Sequence, residues 1–234
     1  MELAGNIGYL RQSCGMTQEK LAEKMQVSRQ TVSKWETGES NPELNKLVEL
    51  SKLFHCKIDT LLSENLEEAD RAYSKVRIER VPGFSLARTV VISPQPEDDL
   101  HELLMLWADK SGLRKVEKEP IELGWDFPFV SLEQQNRFGL RGYAGGLVVP
   151  EGFVPDCGGC EIYTQGETDY AVVTIREPSV NAFERIPGGY KKIIRYLAEN
   201  GYPERHFEEY LDCMERLYEK DGTMFMDVYI HAAK

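Results

Sequence analysis

No run of about 18 apolar residues occurs anywhere in the 234-residue chain, which excludes a membrane helix of ordinary length. The start, MELAGNIGYLRQ, lacks the basic flank and apolar core of a secretory signal, so we expect a cytoplasmic protein. Cysteine is sparse and odd in number: the five, Cys14, Cys56, Cys157, Cys160 and Cys213, are scattered and do not form a disulfide framework. Positive charge is short as well. Lys and Arg number 28 against 39 Asp and Glu, a net of −11. Residues 1–65 hold 8 against 9, net −1, which leaves 20 against 30, net −10, for the remainder. The acidic part repels nucleic acid and anionic membrane, so any DNA contact belongs to the near-neutral N-terminal part.

Catalytic signatures are missing too. GxGxxG, Walker and GxSxG patterns are absent, and none of the four histidines stands at a metal or nucleophile spacing. CGGC at 157–160 has the spacing of a metal or redox half-site, but no second CxxC follows; a glycine-rich turn flanked by reduced thiols is the expectation. We expect no catalytic residue, no metal and no cofactor, and a regulator rather than an enzyme.

What is present divides in two. Residues 3–62 read as five short helices. Ile7 and Leu10 anchor the first, and Thr17 caps the second ahead of Leu21, Ala22 and Met25. Ser28 caps the third, which buries Val32 and Trp35 and stops at Gly38. Pro42 opens a fourth helix carrying Leu44, Leu47, Leu50 and Phe54, and Asp59 opens the last turn. The segment VSRQTVSKWETG projects Arg29, Gln30, Ser33 and Lys34 away from its buried side. Arginine and glutamine can pair with guanine and adenine edges, and Gln18 is placed for phosphates or base edges. With the tight MQVS link, this fits a helix-turn-helix.

The stretch LRQSCGMTQEKLAEKMQVSRQTVSKWETGESNPELNKLVELSKLFHCKIDTLL resembles the phage-repressor-like, XRE-type helix-turn-helix family over almost all of residues 3–63. The resemblance implies that Gln18, Arg29, Gln30 and Lys34 contact DNA, and that Arg11 and Glu36 form an internal ion pair. The expected DNA-contacting set is Gln18, Ser28, Arg29, Gln30, Thr31, Ser33 and Lys34. Few phosphate contacts come from a near-neutral module, so a homodimer on double-stranded operator DNA is expected.

Polar residues 66–74 are read as a linker, giving domains at 1–65 and 75–234. From residue 75 strands mix with helices: KVRIERV, SLARTVVI, a helix with Leu100, Leu103, Leu104 and Trp107, then GWDFPFV and FGLRGYAGGLVVP. CEIYTQGETDYAVVTIRE reads as a hairpin, VNAFERIPGGYKKIIRYLAENGY as a helix interrupted at Pro187, and MFMDVYIHA as a closing strand. The fold class is multidomain, an all-α five-helix domain followed by an α+β domain that duplicates strand-helix-strand-strand.

This second part holds two Trp, ten Tyr and eight Phe, more than a small core needs. Trp107, Trp125, Tyr143 and Tyr170, set in net negative charge, suit a small-molecule site for a cationic, partly apolar ligand. The order from RIERVPGFSLA to DVYIHA resembles the GyrI-like effector-binding domain over roughly residues 75–232. That resemblance implies a floor carboxylate in a Phe-Glu-x-Tyr element, which maps onto Phe207, Glu208 and Tyr210. A strand over 206–211, with a helical turn after it, puts Glu208 and Tyr210 on one face; the helix alternative turns Glu208 to water. The reading is a one-component regulator that senses an effector. The rivals are a fused hydrolase using Glu208 and Tyr210 and a second domain that serves only dimerisation or protein interaction.

Overall fold

The computed structural model describes residues 2–203 and 209–233, and its contacts divide the chain between Ala72 and Tyr73 into two compact units. The first is all helix: α1 (Glu2–Ser13), α2 (Gln18–Met25), α3 (Arg29–Thr37), α4 (Leu44–Leu53), α5 (Ile58–Ser63) and α6 (Leu66–Arg71). Thr17 Oγ accepts from Lys20 N–H and Ser28 Oγ from Thr31 N–H, as N-caps do, while Gly38 closes α3 at φ 75°. Ile7, Leu21, Val32, Trp35, Leu50 and Leu61 form one buried cluster. Pro42 precedes α4 rather than lying in its first turn, because Glu43 is the N-cap. Residues 66–74, expected as linker, hold the sixth helix. Buried Asn6 draws it in, its Oδ1 accepting from Leu66 N–H while Nδ2 donates to the carbonyls of Leu61 and Glu64.

The second unit is one eight-stranded antiparallel sheet with two long helices. Its elements run β1 (Arg77–Val81), β2 (Phe84–Ser93), α7 (Pro96–Lys110), α8 (Leu113–Val116), β3 (Glu122–Asp126), α9 (Leu132–Phe138), β4 (Arg141–Val149), β5 (Glu161–Gln165), β6 (Thr168–Arg176), α10 (Ala182–Glu199), β7 (Cys213–Lys220) and β8 (Thr223–His231). The spatial order β1-β6-β8-β7-β3-β4-β2-β5 contains the duplication. In β2-α7-β3-β4 and again in β6-α10-β7-β8, the first strand pairs with the last and the last with the third. The two third strands meet at the register position Gly124↔Glu215.

Each helix closes its own half. Leu100, Leu104, Trp107 and Ala108 of α7 pack on Ala87, Leu147 and Val149; Ile193 of α10 packs on Ala171, Val173, Ile175 and Val228. A third cluster, with Leu86, Leu123, Tyr170, Val172, Met214 and Tyr229, forms between them.

Three expectations change. β5 and β6 do not pair as a hairpin, since β5 lies on β2 and β6 lies between β1 and β8. Gly166 and Glu167 instead carry the chain between the two halves, and Gly83 packs against that link, where a Cβ would stand 2.9 Å from the Gln165 carbonyl oxygen. α10 runs through Pro187 without a break. The partner that proline removes belonged to the carbonyl of Phe183, a residue 90% exposed and open to water. Residues 213–220 are strand, not the helical turn expected after residue 211. No helix among the described residues is long and apolar enough to cross a membrane.

Candidate functional site

Two surfaces bear chemistry, one in each unit. In the first, the cap at Ser28 starts α3 so that Val32 and Trp35 point inward, 0% and 4% exposed. The same turn leaves Ser28, Arg29, Gln30 and Lys34 exposed and Thr31 and Ser33 half-buried. The hydroxyls of Ser28 and Thr31 lie 2.9 Å apart. Behind this face, Arg11 grips Glu36 with a two-pronged contact, Nε to Oε1 at 2.6 Å and Nη2 to Oε2 at 3.0 Å, and donates to the Met16 carbonyl. The Gln18 amide also donates to Glu36, at 2.9 Å. Arg29 is paired with Glu19, Nε to Oε1 at 2.7 Å.

In the second unit the seam between the halves opens into a cavity of about 700 Å³. One wall comes from the end of β3 and the loop after it, with Trp125, Asp126, Phe127 and Phe129. The facing wall is Tyr210, Leu211, Asp212 and Cys213, and Arg88, Val90, Glu161 and Tyr163 of β2 and β5 complete it. The facing loop is stitched in place: the Tyr163 hydroxyl donates to the Glu209 carbonyl, the Tyr170 hydroxyl to the Leu211 carbonyl, and Leu211 N–H to Gln165 Oε1. Tyr210 stacks on His231 with centroids 4.9 Å apart. Burial lowers the His231 imidazole from its ordinary value and raises the Asp126 carboxyl.

Two residues along β7 from Cys213, and so on the same face, stands Glu215, 8% exposed. The Tyr190 hydroxyl donates to its Oε1 at 2.8 Å and the Tyr143 hydroxyl to its Oε2 at 2.9 Å. Tyr143 reaches it across Gly124, where any Cβ would strike the phenol ring. Burial pushes the Glu215 carboxyl up, the two hydroxyls partly offset that, and Asp126 and Glu97 add to the rise. The same burial raises both tyrosines and lifts the Cys213 thiol to about 11.

The expected effector residues separate. Trp125 and Tyr210 line the cavity together. Tyr143 lies behind it on Glu215, and Tyr170 is fully buried, holding the loop. Trp107 is 4% exposed in the α7 core, its indole N–H donating to the Gly158 carbonyl. Glu208 lies outside the described residues. Cys157 and Cys160 pack half-buried against the α7 cluster, and no group of three metal-ligating side chains occurs among the described residues.

Glu215, Tyr190 and Arg88 went unforeseen. The available signal was Asp221-Gly222, a two-residue turn with φ 52° and 74° linking β7 and β8. Such a pair marks a hairpin and would have made residues 213–220 a strand.

Known proteins resemble each unit. The helix-turn-helix family model matches residues 7–61. The HTH-type transcriptional activator BcrR of Enterococcus faecalis is 44% identical over 63 residues, 27% of this chain and 31% of its own length. An HTH-type transcriptional regulator of Archaeoglobus fulgidus is 38% identical over 62 residues, 26% of this chain and 89% of the relative. The chain thus spans under a third of BcrR and nearly all of the archaeal protein. Among solved structures, the EcmrR C-terminal domain superposes with TM-score 0.50 and 10% identity over 69% of this chain and 98% of that one, a shared fold. Helical caps, buried anchors and sequence agreement converge on the first unit: through residues 7–61, this chain belongs to the helix-turn-helix family of transcriptional regulators.

Proposed function

We propose that the chain binds double-stranded operator DNA as a homodimer and changes its occupancy when the second unit takes up a small, cationic, aromatic effector. The DNA-facing set is Gln18, Ser28, Arg29, Gln30, Thr31, Ser33 and Lys34, with Arg29 and Gln30 reading base edges. The observation that carries the sensing half is the seam cavity: aromatic walls, with Asp126, Glu161 and Asp212 set against Arg88. Aromatic faces and excess carboxylate favour a cation whose own surface is largely apolar. Glu215 behind the cavity supplies further negative charge once ionised.

Thermal shift with tetraphenylphosphonium tests this reading. At 100 times its Kd such a ligand adds about 2.7 kcal/mol, roughly 5–10 °C for a unit of this size. Trp125→Ala should weaken binding roughly two- to thirty-fold. No shift with a panel of lipophilic cations sinks the assignment.

One arrangement supports a catalytic alternative. A buried carboxylate held by two tyrosines is also acid/base equipment. Turnover of a bound hydrolysable ligand, lost in Glu215→Gln, would establish it; recovery of intact ligand after hours would reject it.

A further inference from the structure

We propose that His231 is a positioning residue of the seam cavity and makes it responsive to pH: as a neutral ring it backs Tyr210, and once protonated it sets a positive charge behind the wall that a cationic guest must meet. The inference rests on the proposed reading of the second unit as a sensor of cationic effectors.

The placement comes from the ends of two strands. His231 is the last residue of β8 and stands in register with Tyr170 of β6. Its backbone N–H donates to the Asp212 carbonyl at 2.9 Å, which ties β8 to the loop facing the cavity. Its ring is held by three neighbours. Nε2 lies 2.8 Å from the hydroxyl of Thr168, a residue 6% exposed. The Tyr170 ring meets it edge-on at 5.4 Å, and Tyr210 lies nearly flat against it, with 4.9 Å between centroids and 14° between planes. A hydroxyl either donates or accepts, so the Thr168 contact suits both protonation states.

Tyr210 lines the cavity. With one face of its phenol against His231, a guest that stacks on Tyr210 meets the other face. An aromatic ring attracts a cation through the negative charge of its faces. A neutral imidazole behind the ring leaves that attraction in place, whereas an imidazolium opposes it. A cation in contact with the free face would stand roughly 8–10 Å from the imidazole. At that range in a partly buried wall, like charges cost roughly three- to ten-fold in affinity.

Among the described residues, two carboxylates act on the imidazole: Asp212 from the loop and Asp169 from β6, the latter also paired with Arg80 of β1 at 3.2 Å. The other titratable groups beside it are the phenols of Tyr170 and Tyr210, with Cys213 of β7 opposite the neighbouring Ile230. The carboxylates favour the charged ring, but burial outweighs them and holds the imidazole below its ordinary value.

Equilibrium dialysis of the full chain with tetraphenylphosphonium, at about pH 8 and about pH 5, brackets the ordinary histidine value of about 6.5. Asp126 and Glu215, both raised by burial, also gain protons toward acid. The wild-type loss is therefore read against His231→Phe, which keeps the stack, and His231→Gln, which keeps a partner for Thr168. At the upper pH His231→Phe should bind like wild type and His231→Gln several-fold more weakly. Toward acid, wild type should lose roughly three- to ten-fold more affinity than His231→Phe. By reciprocity, saturating guest should lower the midpoint at which the His231 ring signal titrates in proton NMR by about half to one pH unit. That signal is the one both variants lack; where one variant fails to fold, the other assigns it and the wild-type midpoint decides. Equal acid losses in wild type and His231→Phe, or a midpoint unmoved by bound guest, overturn the pH role. His231→Gln binding like wild type at the upper pH overturns the positioning role, and each of these results leaves the effector reading standing. No binding at either pH overturns the effector reading and this proposal together.

Discussion

Removing the hydroxyl of Tyr190 should destabilise the C-terminal unit by an amount that grows with pH. Glu215 is 8% exposed and accepts from Tyr190 and Tyr143 at 2.8 and 2.9 Å. To a neutral acid each such bond contributes about 1 kcal/mol net, and to a carboxylate about 1.5–3 kcal/mol. Burial already lifts the folded carboxyl above its ordinary value, and the hydroxyls pull it part of the way back. A group raised on folding contributes its full stability below the unfolded value and loses it as pH climbs through the folded one. Tyr190→Phe raises the folded value further, so the loss continues to higher pH and its total grows. Its cost should be about 1 kcal/mol at pH 4.5 and about 2–3 kcal/mol once wild-type Glu215 is ionised. At roughly 2–4 °C per kcal/mol, that is about 2–4 °C in acid and about 4–12 °C above it. Calorimetry of the full chain from pH 4.5 upward across the range in which wild-type Glu215 ionises measures the difference, and Glu215→Gln should flatten its pH dependence. An equal cost at both ends of the range, or a slope that survives Glu215→Gln, refutes the reasoning.

Other outcomes follow from single contacts. Gly146→Ala drives a methyl into the Ala87 carbonyl oxygen of the paired strand and should cost about 1–3 kcal/mol in urea unfolding. Gly152→Ala, with open space but φ 74°, should cost about 1 kcal/mol for its backbone alone. Arg11→Ala leaves Glu36 facing Gln18 without its charge partner, and the N-terminal unit should lose about 2–3 kcal/mol in thermal melts. Arg11→Lys should recover only part of that, because an ammonium cannot reproduce the fork.

The helix-turn-helix was legible because its determinants are local. Thr17 and Ser28 cap as expected, Gly38 terminates α3 in the left-handed region, and Val32 and Trp35 bury the expected face. The Arg11–Glu36 pair implied by the family resemblance is present. In the second unit the strand-helix-strand-strand duplication was legible, but its pairing was not. Nothing local in β5 or β6 states that a two-residue link joins strands lying on different neighbours. Residues 207–218 misled for a different reason. Tyr210, Leu211, Met214, Leu217 and Tyr218 fit a helical period, whereas the fold uses residues 213–220 as a strand in which the neighbours Met214 and Glu215 are both buried. Aromatic abundance pointed equally to Trp107 and Trp125, and only packing separates a core indole from one facing the cavity.

β3 and β7 share the single register pair Gly124↔Glu215, so one rung joins the two repeats across the middle of the sheet. In the proposed effector reading, a guest between Trp125 and Tyr210 would strain that rung, while α7 and α10 each pack on their own half. Under that reading, molecules of different girth would be taken up by spreading that rung rather than by repacking a core, and the tolerance of the proposed site would follow from how far the two repeats part.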